Sequence, residues 1–476
     1  MPERAPARTV LAALTDDFTE LPDPAAGGSG AEGPAQGGPP DAGDGPLGWE
    51  GYGAARARAS ARTGESESVV CGTARVGGTE AVLLAFEFGF LGGSLGERTG
   101  DRVEAAHTVA RARRLPVVSL IATGGSRMQE GMRALTQLQR VARQSALTRA
   151  AGLPQTAVLR DPATGGGWAT LGAGADVVLA LPEAQVGFAG SRVRPPGADP
   201  YAYTAESQLA TGHIDRIVPY GQLRGALGRW LALLTGGTAG AGTGGGTGTG
   251  GTNTGAGAVP AAEPPRALGD AGLPASGWDA VTRARAPHRP RADAYLDAHF
   301  VLREEFSGDR CGGTDDGMRC GFGQLPDGTS VAYAAQCGTP TRPAGFRTAA
   351  RLIRLAGRLG IPVLTLVDTP GAANGAEAER AGAGAAIAEC FDAVATASVP
   401  VTTLVIGEGG SGGALALAAP GNTWVTPDSY FSVIAPELAA AILKRGPEDA
   451  RTTAGQLRLR PQDLVELGVA RGIMPR

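Results

Sequence analysis

An apolar segment that ends in a glycine turn occurs twice in this chain, and this repeat restricts the possible folds more than any other feature. RRLPVVSLIATGG at 113–125 has a counterpart in LGIPVLTLVDTPG at 359–371. A second pair follows, GLPQTAVLRDPATGGG at 152–167 and SVPVTTLVIGEGGSGG at 398–413. Self-similarity at a fixed spacing is the signature of a repeated structural unit. The chain is therefore predicted to contain two copies of one unit.

The spacing inside the two copies is identical. Pro116 and Pro154 are 38 residues apart, as are Pro362 and Pro400, and each first-copy proline has its counterpart 246 residues later. A helical pattern precedes each pair of strands, DRVEAAHTVARARR in one copy and GFRTAARLIRLAGR in the other. Near-continuous apolar strands that alternate with helices are typical of a parallel sheet covered by helices. The predicted fold class is α/β, with two tandem domains that each have a parallel βαβ core.

Composition divides the chain into four parts. Residues 1–47 are rich in Pro, Gly and Ala and are predicted to be a disordered leader. Residues 236–268 include a long Gly/Thr-rich run and are predicted to be a flexible linker. The two predicted domains occupy 48–235 and 269–476.

Charge and cysteine content exclude several classes of function. The net charge is −3 and the pI about 5.9, so no basic field attracts nucleic acid or anionic lipid. The five cysteines include no C-x-x-C pair, which argues against a zinc ribbon and favours a reducing compartment. No window approaches the ~20 apolar residues of a membrane span. We expect a cytoplasmic protein that binds neither nucleic acid nor membrane.

GEGGSGGALALA at 407–418 follows a predicted strand and has three interpretations. A nucleophile elbow around Ser411 needs a histidine later in the chain, and none of the four histidines follows it. A triad in another chain order remains an alternative, although the first copy has Gly165 in place of this serine. A dinucleotide fingerprint from Gly407 belongs on the first strand of a βαβ unit, whereas this strand is a late one. The third interpretation is a row of main-chain N–H groups at the beginning of a helix.

The third interpretation accounts for all four glycine clusters together. Each copy has one cluster at the end of a strand and a second where a helix begins, and both expose N–H groups. Two such clusters that converge form an oxyanion hole, in which fixed donors stabilise charge that develops on a carbonyl oxygen. The alternative is that the glycines only make tight turns between strand and helix. Because the clusters are paired and duplicated, a functional role is favoured, with one hole in each copy.

Two sets of sequence strings are similar to the signatures of one protein family. In the first copy they are AFEFGFLGGSLGERTGDR (85–102), ATGGSRMQEGM (122–132) and VGFAGSRV (186–193). In the second copy they are APHRPRADAYLD (286–297), GIPVLTLVDTPGA (360–372), VIGEGGSGGALAL (405–417) and YFSVIAPE (430–437). The first copy resembles the beta subunit, and the second the alpha subunit, of bacterial acetyl-CoA carboxylase carboxyltransferase. The resemblance implies two tandem crotonase-like domains.

The resemblance also implies a reaction. In this family carboxybiotin releases CO₂, the biotin enolate takes the α-proton of an acyl-CoA, and the thioester enolate attacks CO₂. Main-chain N–H groups stabilise two oxyanions, one in each domain type, and no protein nucleophile is required. The implied function is carboxyl transfer to acetyl-CoA or a related acyl-CoA, which forms malonyl-CoA or its analogue. Alternatives are decarboxylation of a malonyl-CoA-type thioester on the same scaffold, and a non-catalytic scaffold subunit.

Positions that match the family are the candidate site residues. The implied catalytic groups are the main-chain N–H groups of Gly165, Gly166, Gly167, Gly412, Gly413 and Ala414. The implied substrate-binding residues are Gly124, Gly125, Arg127, Arg192 and Gly371. The first-copy glycines would face the acyl-CoA thioester, and the second-copy residues would face the ureido oxygen of biotin. The two arginines match family positions that serve either CoA phosphates or salt bridges, and Arg127 has Glu130 close by as a potential partner.

Cofactor and partners follow from the same resemblance. Lys444 is the only lysine, and it is not in a biotin-attachment context, so biotin is expected on a separate carrier protein. The expected partners are the acyl-CoA substrate, a biotin carboxyl carrier protein and a biotin carboxylase, and the fused chain is expected to form a homodimer. No zinc is expected, because the zinc ribbon of the beta subunit is missing.

Two further departures from the family affect the expected site. YAAQCGTPTRP at 333–343 stands where the alpha subunit has a basic run, which puts the handling of substrate or partner in doubt. Trp168 stands where the family has a smaller residue and is expected to narrow the acyl pocket.

Overall fold

Two compact units make up the chain. The computed structural model describes residues 4–24, 43–236 and 259–476. The units are Met1–Ala232 and Leu233–Arg476, so the division lies close to the end of the first predicted domain at residue 235. Each unit is described by itself below.

The first unit alternates strands and helices after an antiparallel beginning. In chain order its elements are α1 (Ala7–Leu14), β1 (Phe18–Glu20), α2 (Tyr52–Thr63), β2 (Val69–Val76), β3 (Thr79–Phe86), α3 (Glu97–Arg113), β4 (Val117–Thr123), α4 (Gly131–Ala150), β5 (Gln155–Thr164), α5 (Gly165–Gly167), β6 (Val177–Ala180), β7 (Val186–Gly187), α6 (Ala205–Ala210), β8 (Arg216–Ile217) and α7 (Tyr220–Thr235).

The second unit repeats this order with additional short helices. Its elements are α8 (Gly277–Ala284), α9 (Ala292–His299), β9 (Leu302–Glu305), β10 (Met318–Gln324), β11 (Ser330–Gln336), α10 (Pro343–Leu359), β12 (Val363–Thr369), α11 (Ala376–Arg380), α12 (Ala383–Ala395), β13 (Val401–Gly410), α13 (Ser411–Leu415), β14 (Thr423–Val425), β15 (Tyr430–Ser432), α14 (Pro436–Ile442), α15 (Ala450–Gln456), α16 (Pro461–Glu466) and β16 (Gly472–Ile473).

The two sheets have the same topology. Within the described residues each unit has one eight-stranded sheet, in the order β1-β2-β3-β4-β5-β6-β8 with β7 on β5, and β9-β10-β11-β12-β13-β14-β16 with β15 on β13. The first three strands of each order are antiparallel and the others parallel. The prediction of two tandem α/β domains with a duplicated parallel core is confirmed.

The central strands are apolar because both faces of each sheet are covered. Every residue of β4 and of β12 is buried, as expected for parallel strands under helices. Helix α10 places Phe346, Leu352 and Ile353 on its buried face, and all three are at most 1% exposed. These strands end at the edge where the glycine turns lie, so the packed core fixes the position of the turns.

Two predictions about irregular segments need correction. Part of the predicted leader, 1–47, is folded: α1 buries Val10 and Leu11, and β1 pairs antiparallel with β2. The predicted linker, 236–268, is also structured at its end, where Ala262 accepts a hydrogen bond from Thr402 and is 6% exposed. Residues 1–3, 25–42 and 237–258 of these segments lie outside the described residues. The folded part of the leader gives a weak sequence signal, because α1 and β1 are short and depend on packing against β2 and β3.

A helix must be both long and apolar to cross a membrane. Among the helices in the described ranges, none is long and apolar enough to cross a bilayer.

Candidate functional site

In the first unit, two glycine turns lie against each other at the ends of neighbouring parallel strands. Gly125 follows β4 with a φ of +110°, and Gly165 follows β5 with a φ of +66°. A Cβ on Gly165 would lie 2.7 Å from the Cα of Gly125, so the two backbones touch where no side chain fits. Glycine is required here both for the left-handed backbone and for the close approach.

The second unit brings its glycines together in the same way. Gly371 follows β12 with a φ of +144°, and Gly413 lies in α13 after β13. A Cβ on Gly413 would lie 2.8 Å from the carbonyl carbon of Gly371 and closer still to the nitrogen of Ala372. Both units therefore pack their two turns backbone against backbone, although the contact is made at different repeat positions, since Gly413 corresponds to Gly167 and not to Gly165.

Hydrogen bonds show which first-unit N–H groups are available. Gly124 donates to the carbonyl of Gly92 at 2.8 Å and Gly125 to Oγ1 of Thr123 at 3.1 Å, while Gly165 donates to the carbonyl of Phe188 at 3.1 Å. Within the described residues, no acceptor takes a hydrogen bond from the N–H of Gly166 or Gly167. These two N–H groups begin a helix, where intrahelical acceptors are missing.

The second unit leaves the equivalent pair of donors unused. Gly371 donates to Oγ1 of Thr369 at 3.1 Å, which repeats the Thr123 contact of the first unit. No group in the described part of the chain accepts from the N–H of Gly412 or Gly413. The N–H of Ala414, one position further into α13, likewise has no acceptor outside the helix among the described residues. Gly412, Gly413 and Ala414 therefore all present N–H groups where α13 begins.

Ser411 has the backbone geometry of a strained turn residue. Its φ is +56°, close to the +66° of its counterpart Gly165, and its side chain is exposed. Its hydroxyl forms no hydrogen bond with a histidine in the part of the chain that the structure describes. The left-handed conformation of Ser411 is thus a property of the repeated turn. The first unit has Gly165 at this position, which has no hydroxyl.

Comparison with known proteins shows which family this chain is similar to. Residues 49–217 match the carboxyl transferase domain model, and residues 274–476 match the model described as acetyl co-enzyme A carboxylase carboxyltransferase-like. Two relatives are named acetyl-coenzyme A carboxylase carboxyl transferase subunits beta/alpha. The one from Saccharopolyspora erythraea is 38% identical over 88% of this chain and 73% of its own length. The one from Salinispora arenicola is 39% identical over 87% and 74%.

This chain belongs to the acetyl-CoA carboxylase carboxyltransferase family. The predicted resemblance of each half to one subunit type is thereby confirmed. Among solved structures, transcarboxylase 12S with methylmalonyl-coenzyme A bound has a TM-score of 0.73 at 18% identity and covers 99% of this chain. That similarity shows the shared crotonase-type fold.

Arg127, a matched family arginine, lies in a buried ionic cluster. Its side chain is 1% exposed, and its guanidinium pairs with Glu67 and, at 3.1 Å, with Glu130. Tyr52 donates to Glu130 at 2.5 Å, and burial foremost raises the pKa of Tyr52 to about 12. Burial alone would raise the pKa of Glu67, but the hydrogen bond and charge of Arg127 outweigh it and lower that pKa. The assignment of Arg127 to substrate binding is corrected, because no part of its guanidinium is accessible to CoA.

The other two residues noted in the first unit have different surroundings. Arg192 is exposed, and no ion pair engages it within the described residues. Trp168 is 8% exposed and belongs to the hydrophobic core, with its ring beside Gly172. The expectation that Trp168 narrows an acyl pocket is corrected, because its ring points into the core.

A buried ion pair behind the second glycine turn was missed by sequence reasoning. Asp368 is 0% exposed and accepts from Arg289 at 2.5 Å and from the N–H of Glu408 at 3.2 Å. It thereby ties the end of β12 to β13 just before both glycine clusters. Both partners lie in strings that carry the family resemblance, APHRPRADAYLD and DTPGA, which was the available signal. Asp368 is a positioning residue for the turn.

Side chains that could bind a metal are scattered through both units. Among the described residues, no group of three or more His, Cys, Asp or Glu side chains could hold a metal ion.

Proposed function

We propose that this chain is the carboxyltransferase component of a biotin-dependent acyl-CoA carboxylase, acting on acetyl-CoA or a related acyl-CoA. The observation that carries the proposal is the duplicated pair of unused N–H donors, Gly166 with Gly167 and Gly412 with Gly413, each beside a backbone-to-backbone glycine contact. N–H donors that such packing holds in place stabilise the negative charge developing on a carbonyl oxygen without first having to move. Family membership supplies the reaction class.

The residues of the two turns fit carbonyl oxygens. Each turn offers N–H groups for which the described residues provide no acceptor, and Gly412 has no atom within 4 Å of where a Cβ would lie. We assign Gly166 and Gly167 to the thioester oxygen and Gly412 and Gly413 to the ureido oxygen of biotin. Carboxybiotin on a separate carrier would supply the CO₂, and the biotin that remains would accept the α-proton. The chain itself orients the two carbonyl groups and stabilises their negative charge.

The other expected site residues divide into direct and supporting roles. Arg192 is proposed to contact a CoA phosphate, because its side chain is exposed and no ion pair engages it within the described residues. Gly124, Gly125, Gly165 and Gly371 are proposed to shape the turns, because their own N–H groups are already engaged or constrained by the turn.

Partners and assembly follow from the same proposal. We propose a cytoplasmic homodimer that works with a biotin carboxyl carrier protein and a biotin carboxylase. Helix α14 supports an oligomer, because Leu438, Ile442 and Leu443 around its end are 55–70% exposed. Sedimentation of the purified chain tests this part, and a monomer at micromolar concentration would contradict it.

The reaction is tested by incubating the chain with malonyl-CoA, with and without free biotin. Acetyl-CoA formation that depends on biotin is the expected result, since transfer requires the second oxyanion. Release of CO₂ without biotin would identify a decarboxylase. Failure to bind any acyl-CoA in calorimetry would identify a non-catalytic scaffold.

The site is tested by a matched pair of glycine substitutions. Gly412 and Gly455 are both exposed and helical, and neither has an atom within 4 Å of the position that a Cβ would take. Gly412→Leu is expected to leave the melting temperature unchanged and to reduce turnover at least 100-fold, because the leucine side chain would fill the open space beside the N–H groups and keep the oxyanion from them. Losing one oxyanion donor costs about as much. Gly455→Leu is the control and should keep full activity. Full activity in both variants would refute the second hole.

A further inference from the structure

Residues 4–7, which lead into α1, bridge two strands of the first unit and are called the N-terminal clamp below. Ala7 donates its N–H at 2.7 Å to the carboxylate of Glu87, the residue that follows β3. The carbonyl of Ala5 accepts a hydrogen bond from Arg160, which lies in β5. Because β4 runs between β3 and β5 in the sheet, the clamp reaches across the strand that carries the first glycine turn.

The clamp supplies hydrogen-bond partners to two buried charges. Glu87 is 6% exposed and Arg160 is 4% exposed. One carboxylate oxygen of Glu87 accepts from Ala7, and the other accepts the N–H of Gly89 at 2.7 Å. Arg160 donates to the carbonyl of Phe86 at 3.0 Å as well as to the clamp. A buried charge is stable only where hydrogen bonds and opposite charge replace the lost water. Removal of the clamp would therefore leave both side chains short of a partner.

The side chain of Arg4 adds a weaker bridge. Its guanidinium donates to Asp161 of β5 at 3.2 Å and lies 5.0 Å from the ring centroid of Phe88, the residue after Glu87. Arg4 is exposed, and exposed ion pairs contribute little to stability. The main-chain contacts of the clamp therefore matter more than this side chain.

The loop 87–95 leads from the clamp to the first glycine turn. Where the loop begins, the carbonyl of Glu87 accepts the N–H of Phe90 at 3.1 Å. Where it ends, Leu95 donates to the carbonyl of Gly125 at 2.9 Å. The same short loop is thus held by the clamp at one end and by the turn at the other.

Leu95 also borders one of the unused N–H donors. A Cβ on Gly167 would lie 3.2 Å from Cδ1 of Leu95, whose side chain is fully buried. A displacement of Leu95 would therefore be felt both by the glycine that follows β4 and by the beginning of the helix that presents the donors. Tightly packed interiors transmit such displacements because they contain few voids.

A comparable tie is present in the second unit. There Arg289, in the segment between α8 and α9, donates to the carbonyl of Ile406 in β13 at 3.3 Å. Ile406 is the counterpart of Arg160, since the two positions are 246 residues apart. In both units a buried arginine thus joins a segment that precedes the sheet to the same place on the equivalent strand, although the arginine comes from opposite partners.

We propose that the N-terminal clamp positions the first pair of N–H donors, and that Glu87 is the positioning residue through which it acts. The proposal rests on the assignment of Gly166 and Gly167 to the thioester oxygen. Glu87 fixes the beginning of the loop, and Leu95 at its end holds the turn and borders the donors. Glu87 itself has no contact with substrate in this scheme.

Hydrogen exchange of the full-length chain tests the clamp without turnover. Ala7→Pro removes the N–H that Glu87 accepts, and proline is favoured at the first position of a helix. Loss of one buried hydrogen bond should make the amides of 88–95 and 124–127 exchange roughly tenfold faster. Glu87→Gln should have the same effect, because a carboxamide offers only one acceptor oxygen.

Glu65→Gln is the matched control for these variants. Glu65 is also a buried carboxylate that binds α1, but it does so through the side chain of Arg8, at 2.6 Å, and not through the clamp. Its replacement should leave exchange at 88–95 and 124–127 unchanged. Circular dichroism of each variant confirms that it is folded.

Kinetics provide a readout that a merely structural role would not change. In biotin-dependent formation of acetyl-CoA from malonyl-CoA, both clamp variants should lower kcat and raise KM for malonyl-CoA about threefold or more, because the thioester oxygen loses well-placed donors. KM for free biotin should stay the same. A smaller folded fraction would lower kcat and leave both KM values unchanged.

Three results would overturn the proposal. The first is unchanged exchange at 88–95 and 124–127 in both clamp variants. The second is equal acceleration throughout the first unit, which would mean that the clamp adds only global stability. The third is faster local exchange with unchanged kcat and KM. Absence of turnover in the unmodified chain would instead contradict the proposed function, and the exchange data would then decide separately whether the clamp holds the turn.

Discussion

Replacement of Gly413 by alanine tests the backbone contact on which the second turn depends. An added Cβ would lie 2.8 Å from the carbonyl carbon of Gly371, whereas ordinary contacts are 3.4–4 Å, so the turn must move by about 0.6 Å or more. Overpacking of this kind costs about 1–3 kcal/mol. For a unit of this size the melting temperature is then expected to fall by roughly 2–12 °C.

The same displacement should also affect turnover. A shift approaching 1 Å in a positioned donor costs about 100-fold in rate. Biotin-dependent release of acetyl-CoA from malonyl-CoA measures this rate, and calorimetric melting measures stability. Gly384→Ala is the control, because Gly384 lies in α12 with no atom within 4 Å of the place where its Cβ would lie. If Gly413→Ala kept both the melting temperature and the rate of the unmodified chain, the packed turn would not be what holds the donors.

Three further predictions concern single side chains. Arg127→Met leaves Glu67 buried without its partner and should cost about 3–5 kcal/mol in urea unfolding; unchanged stability with a raised KM for acyl-CoA would instead return Arg127 to substrate binding. Burial foremost, and then the charge of Arg111, lowers the pKa of His107 to about 4 from 6.5. The unfolded chain therefore binds more protons between these values, and about 3 kcal/mol of stability should be lost as pH falls from 6.5 to 4. His107→Gln should flatten this dependence, and identical pH profiles would contradict it. Ser411→Gly should gain about 1 kcal/mol by relieving the left-handed backbone and keep turnover; loss of turnover would restore the nucleophile hypothesis.

The fold was predictable from sequence because its repeated elements are encoded locally. Glycine and proline determine the turns, and apolar runs determine the strands. Equal spacings in the sequence therefore give equal structures, as with the 38 residues between Pro116 and Pro154 and between Pro362 and Pro400. The folded α1 and β1 escaped prediction because they are short and depend on packing against β2 and β3.

The candidate site was predictable only in part, because hydrogen-bond acceptors come from distant segments. Nothing local to Gly124 reveals that the carbonyl of Gly92 takes its N–H. The pairing of Arg127 with Glu130 followed from their spacing, but Glu67 lies 60 residues away in sequence. Sequence therefore located the glycine turns, and only the structure separated unused donors from engaged ones.

The Thr123 and Thr369 contacts have an evolutionary consequence. Each threonine holds the N–H of the glycine two residues on, so each turn is closed within a single strand end. In the proposed holes the working donors are N–H groups, which every residue except proline possesses. Substitutions that neither enter the tight glycine contacts nor place a side chain in front of the donors therefore leave the N–H groups in position, and such a site tolerates long divergence. The two copies illustrate this tolerance, since the same main-chain hydrogen bond is made by the buried Arg127 to Leu95 in one unit and by Ala373 to Thr341 in the other.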